Sequence, residues 1–140
     1  MLNIKVKSLS PKAVIPQYSK TGDAGLDLTA TSIKFTENYI EYGTSLAFEI
    51  PEGYVGLIFP RSSISNYDLT LANSVGVIDS NYRGEVTFRF KAEEFSRRHY
   101  NVGDRVGQLI VIPYPQVQLV ESEELSESNR GDNGYGSSGV

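Results

Sequence analysis

The chain contains no cysteine and only one histidine, His99. Without thiols it can form no disulfide, thiolate nucleophile or Cys-based zinc site. A lone imidazole also argues against a Ser-His-Asp triad or a histidine-rich metal centre. The longest apolar runs, such as that around Val111 and Ile112, are far shorter than the roughly 20 residues that span a bilayer. The start, Met1-Leu2-Asn3-Ile4-Lys5, lacks the apolar core of a signal peptide. These absences predict a protein that works inside the cell, in the cytoplasm or another interior compartment, without a membrane partner.

Excess positive charge is missing as well. The net charge of −4 sits in the last twenty residues, where Glu121, Glu123, Glu124, Glu127 and Asp132 face Arg130 alone. The remainder balances 12 basic against 12 acidic residues. A neutral body has no basic stripe to track a nucleic-acid backbone, so the reading predicts no nucleic-acid partner and leaves a small anion open.

What is present suits one β domain. With 140 residues and a 39% hydrophobic fraction, the chain has enough apolar surface for one continuous core. Apolar and polar residues alternate in Leu2 to Lys7, Glu85 to Lys91 and Gln116 to Val120, the pattern of half-buried strands. Tyr54 to Phe59 and Arg105 to Val111 are short runs rich in β-branched and aromatic residues, again favouring strands. Pro51-Glu52-Gly53, Pro60 and Val102-Gly103-Asp104 punctuate the chain as turns would in an antiparallel sandwich or barrel. Only Ser62 to Tyr67 and Glu93 to Arg97 suit a helical turn, and no internal repeat is visible. Residues 1–120 therefore read as the domain and 121–140 as an acidic, then glycine-rich arm. Such an arm buries too little to offset its ordering entropy, and it fits either a frayed tail or a lid ordered by ligand.

Several short segments could carry chemistry. In Gly76-Val77-Ile78-Asp79-Ser80-Asn81-Tyr82-Arg83-Gly84-Glu85, an apolar strand gives way to a polar turn before the strand from Val86, a hairpin with Asp79 at its mouth. Asp79 is either a turn former bonding backbone amides or, if shielded from solvent, a base for water. Pro60-Arg61-Ser62-Ser63 is either a capped turn with Ser62 as N-cap or an anion site with Arg61 as a bidentate fork. Asp27, in Ala24-Gly25-Leu26-Asp27-Leu28-Thr29-Ala30, suits an ion pair with an arginine. Arg105 and Gln108 flank a strand entry, where paired polar residues usually decorate the surface.

Taken in order, these four segments, the fourth being Arg105-Val106-Gly107-Gln108-Leu109-Ile110, lead to Arg130-Gly131-Asp132-Asn133-Gly134-Tyr135-Gly136-Ser137-Ser138-Gly139. The series resembles the five ordered motifs of the trimeric dUTPase family, across residues 24 to 139. The resemblance implies an all-β, jelly-roll-like distorted β-barrel, assembled as a homotrimer with sites at subunit interfaces and a flexible C-terminal arm closing a neighbour's site. It implies hydrolysis of dUTP to dUMP and pyrophosphate by water attack on the α-phosphorus. That reaction limits uracil in DNA and supplies dUMP for thymidylate synthesis, with Mg2+ held mainly by the triphosphate.

The resemblance also assigns roles. Asp79 would orient and deprotonate the water, and Tyr82 would lie on the deoxyribose where a 2′-hydroxyl cannot fit. Uracil would pair with the backbone from Asn73 through Gly76, Val77 and Ile78, where the amino group of cytosine would leave a buried mismatch. Arg61, Ser62, Ser63 and Gln108 would hold phosphates, with Ser62 aimed at the α–β bridging oxygen. From a neighbouring arm, Arg130 would clamp the γ-phosphate, Tyr135 would stack on uracil, and Gly136, Ser137 and Ser138 would close round the phosphates. Asp27 would reach magnesium through water, or else pair with an arginine.

The chain departs from the family pattern in places. Tyr135 replaces the usual phenylalanine and Ser138 the usual threonine, which keeps the stacking ring and the hydroxyl. Asn81 stands where an acidic residue is common. Ser65 and Gly107 exchange one small residue for another, with no functional consequence expected. A relative of dCTP deaminase, or a non-catalytic trimeric binding or regulatory module, is the alternative reading. Arg130-Gly131-Asp132 spells an integrin-binding tripeptide, which the missing export signal and the motif order set aside.

Overall fold

The protein is described by a computed structural model covering residues 1–92 and 98–139. The helical turn expected over Glu93 to Arg97 lies outside the described residues. Ten strands are present among the described residues: β1 (Lys5–Ser8), β2 (Leu26–Thr29), β3 (Ser32–Phe35), β4 (Ile40–Gly43), β5 (Leu46–Glu49), β6 (Tyr54–Phe59), β7 (Leu69–Leu71), β8 (Gly76–Ile78), β9 (Thr87–Ala92) and β10 (Arg105–Pro113). A 3₁₀ turn over Ser62–Asn66 is the helical element among the described residues. The chain is all-β, as the strand patterns predict.

The strands form two four-stranded sheets, ordered β2-β10-β6-β8 and β3-β4-β9-β7, and a small β1-β5 ladder, every pair antiparallel. Among the described residues these ladders make up three sheets. A single core joins the two larger sheets. Tyr42, Phe88 and Phe90 enter it from β4 and β9, and Leu28, Val106 and Leu109 from β2 and β10. The Tyr42 and Phe90 rings meet edge to face at 5.8 Å, a favoured aromatic geometry. Thr44, fully buried, donates its hydroxyl to the Val86 carbonyl at 2.7 Å, so its polar group costs little inside the core.

Two expectations are corrected here. The alternating segment Gln116 to Val120 is not a strand; Val117, Leu119 and Val120 are 75%, 91% and 80% exposed. Alternation makes a strand possible, but only a partner strand makes one, and the described residues offer none to that segment. Val77-Ile78 and the strand from Val86 do not form a hairpin, because β8 and β9 belong to different sheets. The crossing segment is drawn away at Val86, whose N–H donates to the Leu46 carbonyl at 2.9 Å.

Gly107 also matters more than a small-for-small exchange suggests. A Cβ there would lie 2.5 Å from Phe88 Cζ and 2.8 Å from the Phe59 carbonyl oxygen, so β10 passes this point only as glycine unless Phe88 and the Phe59 main chain both give way.

Candidate active site

Strand register brings three of the motifs together. In β10, Gln108 stands between Asp27 of β2 and Phe59 of β6, and β6 runs on into Pro60 and Arg61. Gln108 donates from Nε2 to the Pro60 carbonyl at 3.0 Å. Its amide packs so closely on Gly25 that a Cβ at 25 would overlap it. The glycine is thus required for close approach, which gives the first motif a packing reason.

The carboxylate of Asp27 is shared by two arginines. Arg61 Nε donates to Oδ1 at 3.1 Å and Arg105 Nη1 to Oδ2 at 3.3 Å. The ion-pair alternative is therefore the arrangement found, and both carboxylate oxygens are engaged. Arg105, read from the sequence as surface decoration, is part of the cluster. The register shift between Arg105 and Gly107 is a β-bulge, a device that re-aims a side chain and that no local sequence pattern announces. Ser62 and Ser63 follow Arg61 in the 3₁₀ turn. The N-cap is Arg61, without a side-chain cap, so Ser62 is not the N-cap expected of it.

The third motif builds a different cluster. Asn73, Gly76, Val77, Ile78, Asp79 and Tyr82, with Ile58, Val86 and Thr87, line a cleft of about 180 Å³. That is below the roughly 300–1,000 Å³ of pockets that take drug-sized ligands, and suits one small ring. The strand β8 is the edge of its sheet, so alternate backbone N–H and C=O groups lack ladder partners and can meet a planar base. Ser74, at a left-handed φ of 62°, makes the tight bend between Asn73 and Gly76, with its N–H donating to the Leu71 carbonyl at 3.0 Å.

Beyond β8, the Asp79 carbonyl accepts from the Tyr82 N–H at 3.0 Å, and the Tyr82 hydroxyl donates to the Glu85 carbonyl at 2.9 Å. Arg83, which sequence reasoning passed over, donates from Nη1 to the carbonyls of Ser80 and Tyr82 at 2.6 and 3.1 Å and pairs with Glu49 at 3.4 Å. Lys5 holds the other oxygen of Glu49 at 2.9 Å. The Lys5 and Arg83 charges keep the Glu49 carboxyl below the usual carboxylate range. The turn carrying Asp79 is thereby tied to β1 and β5. Asp79 itself is exposed in the single chain. Its carboxylate borders both the small cleft and a larger open hollow of about 800 Å³ that includes Lys5, Glu49 and Arg83.

The two clusters lie apart. Ile78 pairs with Gly56, whereas Gln108 pairs with Phe59, so Asp79 and Gln108 sit toward opposite ends of β6. At about 3.3 Å per residue along a strand and about 4.8 Å between strands, the separation is roughly 15 Å. The fifth motif joins neither cluster. Arg130 donates from Nε to the Asn133 carbonyl at 2.9 Å, Ser137 N–H to Gly134 at 3.1 Å and Gly139 N–H to Gly136 at 3.0 Å. Arg130, Asn133, Ser137 and Ser138 surround a shallow open hollow, and the Tyr135 ring is wholly exposed, beside Gly136 at φ 83°.

An all-β domain with a guanidinium-rich cluster, an edge-strand cleft for one ring and a detached glycine-rich arm has the parts of a nucleotide-binding hydrolase. The comparisons name the family. The dUTPase family profile matches residues 11–139. The deoxyuridine 5'-triphosphate nucleotidohydrolase of Helicobacter hepaticus is 38% identical over 99% of this chain and 90% of that protein, and its counterpart from Nautilia profundicola is 37% identical over 99% of both. Among solved structures, Staphylococcus bacteriophage 80alpha dUTPase with dUPNHPP matches with a TM-score of 0.84 and 29% identity over the whole of both chains. A dUTPase from phage phi11 of S. aureus, whose structure describes coordination of a structural Mg(II) ion, matches with a TM-score of 0.73 and 26% identity, covering 88% of this chain and 98% of that one. The chain belongs to the dUTPase family.

Proposed function

We propose that the chain hydrolyses dUTP to dUMP and pyrophosphate in sites that more than one copy of it must complete. The observation that carries this reading is the separation of the two clusters: Asp79 and Gln108 lie roughly 15 Å apart along and across the sheet, too far for a base and its phosphate donors to act on the same α-phosphorus. Three copies, the assembly the resemblance implies, would set the cleft of one subunit against the Arg61–Gln108 cluster of the next and lay the arm of another across both.

In such a site uracil meets the open backbone edge of β8 near Asn73, and the anchored Tyr82 ring covers the deoxyribose. Asp79 takes a proton from water as its oxygen bonds to the α-phosphorus. The bond from that phosphorus to the α–β bridging oxygen breaks, and Ser62 stabilises the charge that grows on pyrophosphate. A positioned base of this kind accounts for about 10²–10⁴-fold in rate. Arg61, Ser63 and Gln108 hold the phosphate chain, and Arg130, Tyr135, Gly136, Ser137 and Ser138 close over it.

The described residues hold no cluster of three or more carboxylate or imidazole ligands, and Asp27 is committed to two guanidinium groups. That donor set fits magnesium arriving with the triphosphate and keeping water and phosphate oxygens as ligands. When bound, the ion neutralises phosphate charge. No helix among the described residues is long and apolar enough to cross a membrane.

The test supplies magnesium with dUTP, dCTP, dTTP or UTP. Pyrophosphate release from dUTP alone is expected, whereas ammonia from dCTP would move the assignment to a deaminase. Shared sites are tested by mixing two inactive variants, Asp79→Asn and Arg61→Ala, after partial unfolding and refolding together. Activity returns in the mixture if subunits complement one another, and stays absent if each chain builds its own site.

A further inference from the structure

We propose that the buried hydroxyl of Tyr100 positions the Ser63 side chain on the triphosphate, making Tyr100 a positioning residue for the reaction. The inference rests on the reading that Ser63 binds phosphate.

Tyr100 is 1% exposed, and its hydroxyl is the buried side-chain polar atom left without a hydrogen-bond partner among the described residues. Such orphans are rare in folded proteins, and each calls for a reason. Nothing about the ring looks loosely placed. It stacks on Tyr67 at 4.2 Å with the planes 32° apart, and meets Tyr42 at 5.8 Å and Phe90 at 5.7 Å. The Tyr42 hydroxyl donates to the Tyr100 carbonyl at 3.0 Å, so the backbone is pinned as well. Ring and main chain are fixed, and the hydroxyl remains the uncommitted part.

The ring packs against the segment bearing the second motif: Tyr67, 4.2 Å from it, directly follows the 3₁₀ turn that contains Ser63. Burial raises the Tyr100 phenol above its ordinary value, while the Arg61 charge and the nearby Ser63 hydroxyl pull the other way. In the free chain no hydrogen bond joins the Tyr100 hydroxyl to a partner among the described residues. A neutral phenol can donate one hydrogen bond and accept others, and a serine hydroxyl rotates freely. When Ser63 turns its proton toward a phosphate oxygen, its own oxygen becomes the acceptor the Tyr100 proton lacks. The chain Tyr100 to Ser63 to phosphate satisfies the orphan and strengthens both bonds through mutual polarisation.

The consequence is a pair of effects with opposite signs. Tyr100→Phe removes an unsatisfied buried group from the free protein, so its melting temperature should hold or rise by a few degrees. Its kcat/KM for dUTP should nevertheless fall about tenfold, the order expected for a lost hydrogen bond to a charged ligand. Ser63→Ala should lower kcat/KM by at least as much, and adding Tyr100→Phe to it should cost nothing further. In the unmodified protein carrying 13Cζ-tyrosine, the Tyr100 resonance should shift when a non-hydrolysable imido analogue of dUTP binds, and should stay put in Ser63→Ala.

Unchanged kcat/KM in Tyr100→Phe beside an impaired Ser63→Ala would overturn this inference while sparing the phosphate reading. An unimpaired Ser63→Ala would remove both. A lowered melting temperature with losses that add in the double variant would make Tyr100 a packing residue and nothing more.

Discussion

The body and the arm of this protein solve the problem of holding functional side chains in opposite ways. In the body, Asp27, Arg61, Arg105 and Gln108 are fixed by hydrogen bonds between three neighbouring strands, above a core containing Leu28, Val106 and Leu109. In the arm, the described hydrogen bonds of Arg130 to Gly139 reach no further than Ser128, and the segment buries no large side chain. The first arrangement is preorganised, and groups held so lose little on binding. On the function proposed above, the second would be organised by substrate, meet its ordering cost at that moment and release product when it lets go.

The largest expected effect tests the one group that neither arrangement explains, the exposed Asp79. Asp79→Asn should keep affinity for the imido analogue of dUTP and lose kcat by about 10²–10⁴-fold, measured as pyrophosphate release. Wild-type turnover in this variant would remove Asp79 from the mechanism. Next comes deletion of the arm after Glu127. Turnover should fall steeply while the melting temperature of the body stays the same, because no core contact is lost. Coupled loss of both would mean the arm is part of the fold, and the contrast between the regions would collapse.

A smaller effect separates two roles for Asp27. Asp27→Asn leaves Arg61 and Arg105 without their shared partner and should raise KM for dUTP up to about tenfold, in line with a partly exposed charged pair. If the loss comes from misplaced Arg61, it should be the same at every magnesium concentration. Relief by excess magnesium would return Asp27 to the metal.

The smallest effect at neutral pH concerns the core beneath both clusters. Burial pushes the Tyr42 phenol up to about 12, against 10.0 ordinarily, because the charged form would be desolvated. A folded value above the unfolded one adds stability that is complete below pH 10 and is lost as pH rises toward 12. Thermal melts should therefore fall across that window, and Tyr42→Phe should flatten the decline while costing about 1 kcal/mol at pH 8 for the lost bond to the Tyr100 carbonyl.

How far the sequence could be read follows from where each signal resides. Tyr54 to Phe59 and Arg105 to Val111 announced themselves as strands because β-branched and aromatic runs need no partner to be recognised. The brief strands Ser32–Phe35, Ile40–Gly43 and Leu69–Leu71 were invisible, since three or four residues carry too little pattern to distinguish a strand from a loop. Gln116 to Val120 failed for the converse reason, a pattern without a partner. The motif residues themselves were legible as a series. Their division into two clusters was not, because it follows from the offset of Ile78 against Gly56 and of Gln108 against Phe59, and register is a property of paired strands. Arg105 was taken for surface decoration, and Arg83 and Tyr100 were passed over, because their importance comes from a bulge, two backbone carbonyls and a missing partner, none of which leaves a mark in the local sequence.

The close approach of β10 to Phe88 also constrains how this sequence can change over generations. A methyl group at 107 meets both the facing ring and the Phe59 carbonyl oxygen, while trimming the ring alone opens a void that glycine cannot fill. Shrinking the ring removes one of the two obstacles and leaves the main-chain one, so glycine at 107 should persist even where the residue at 88 varies.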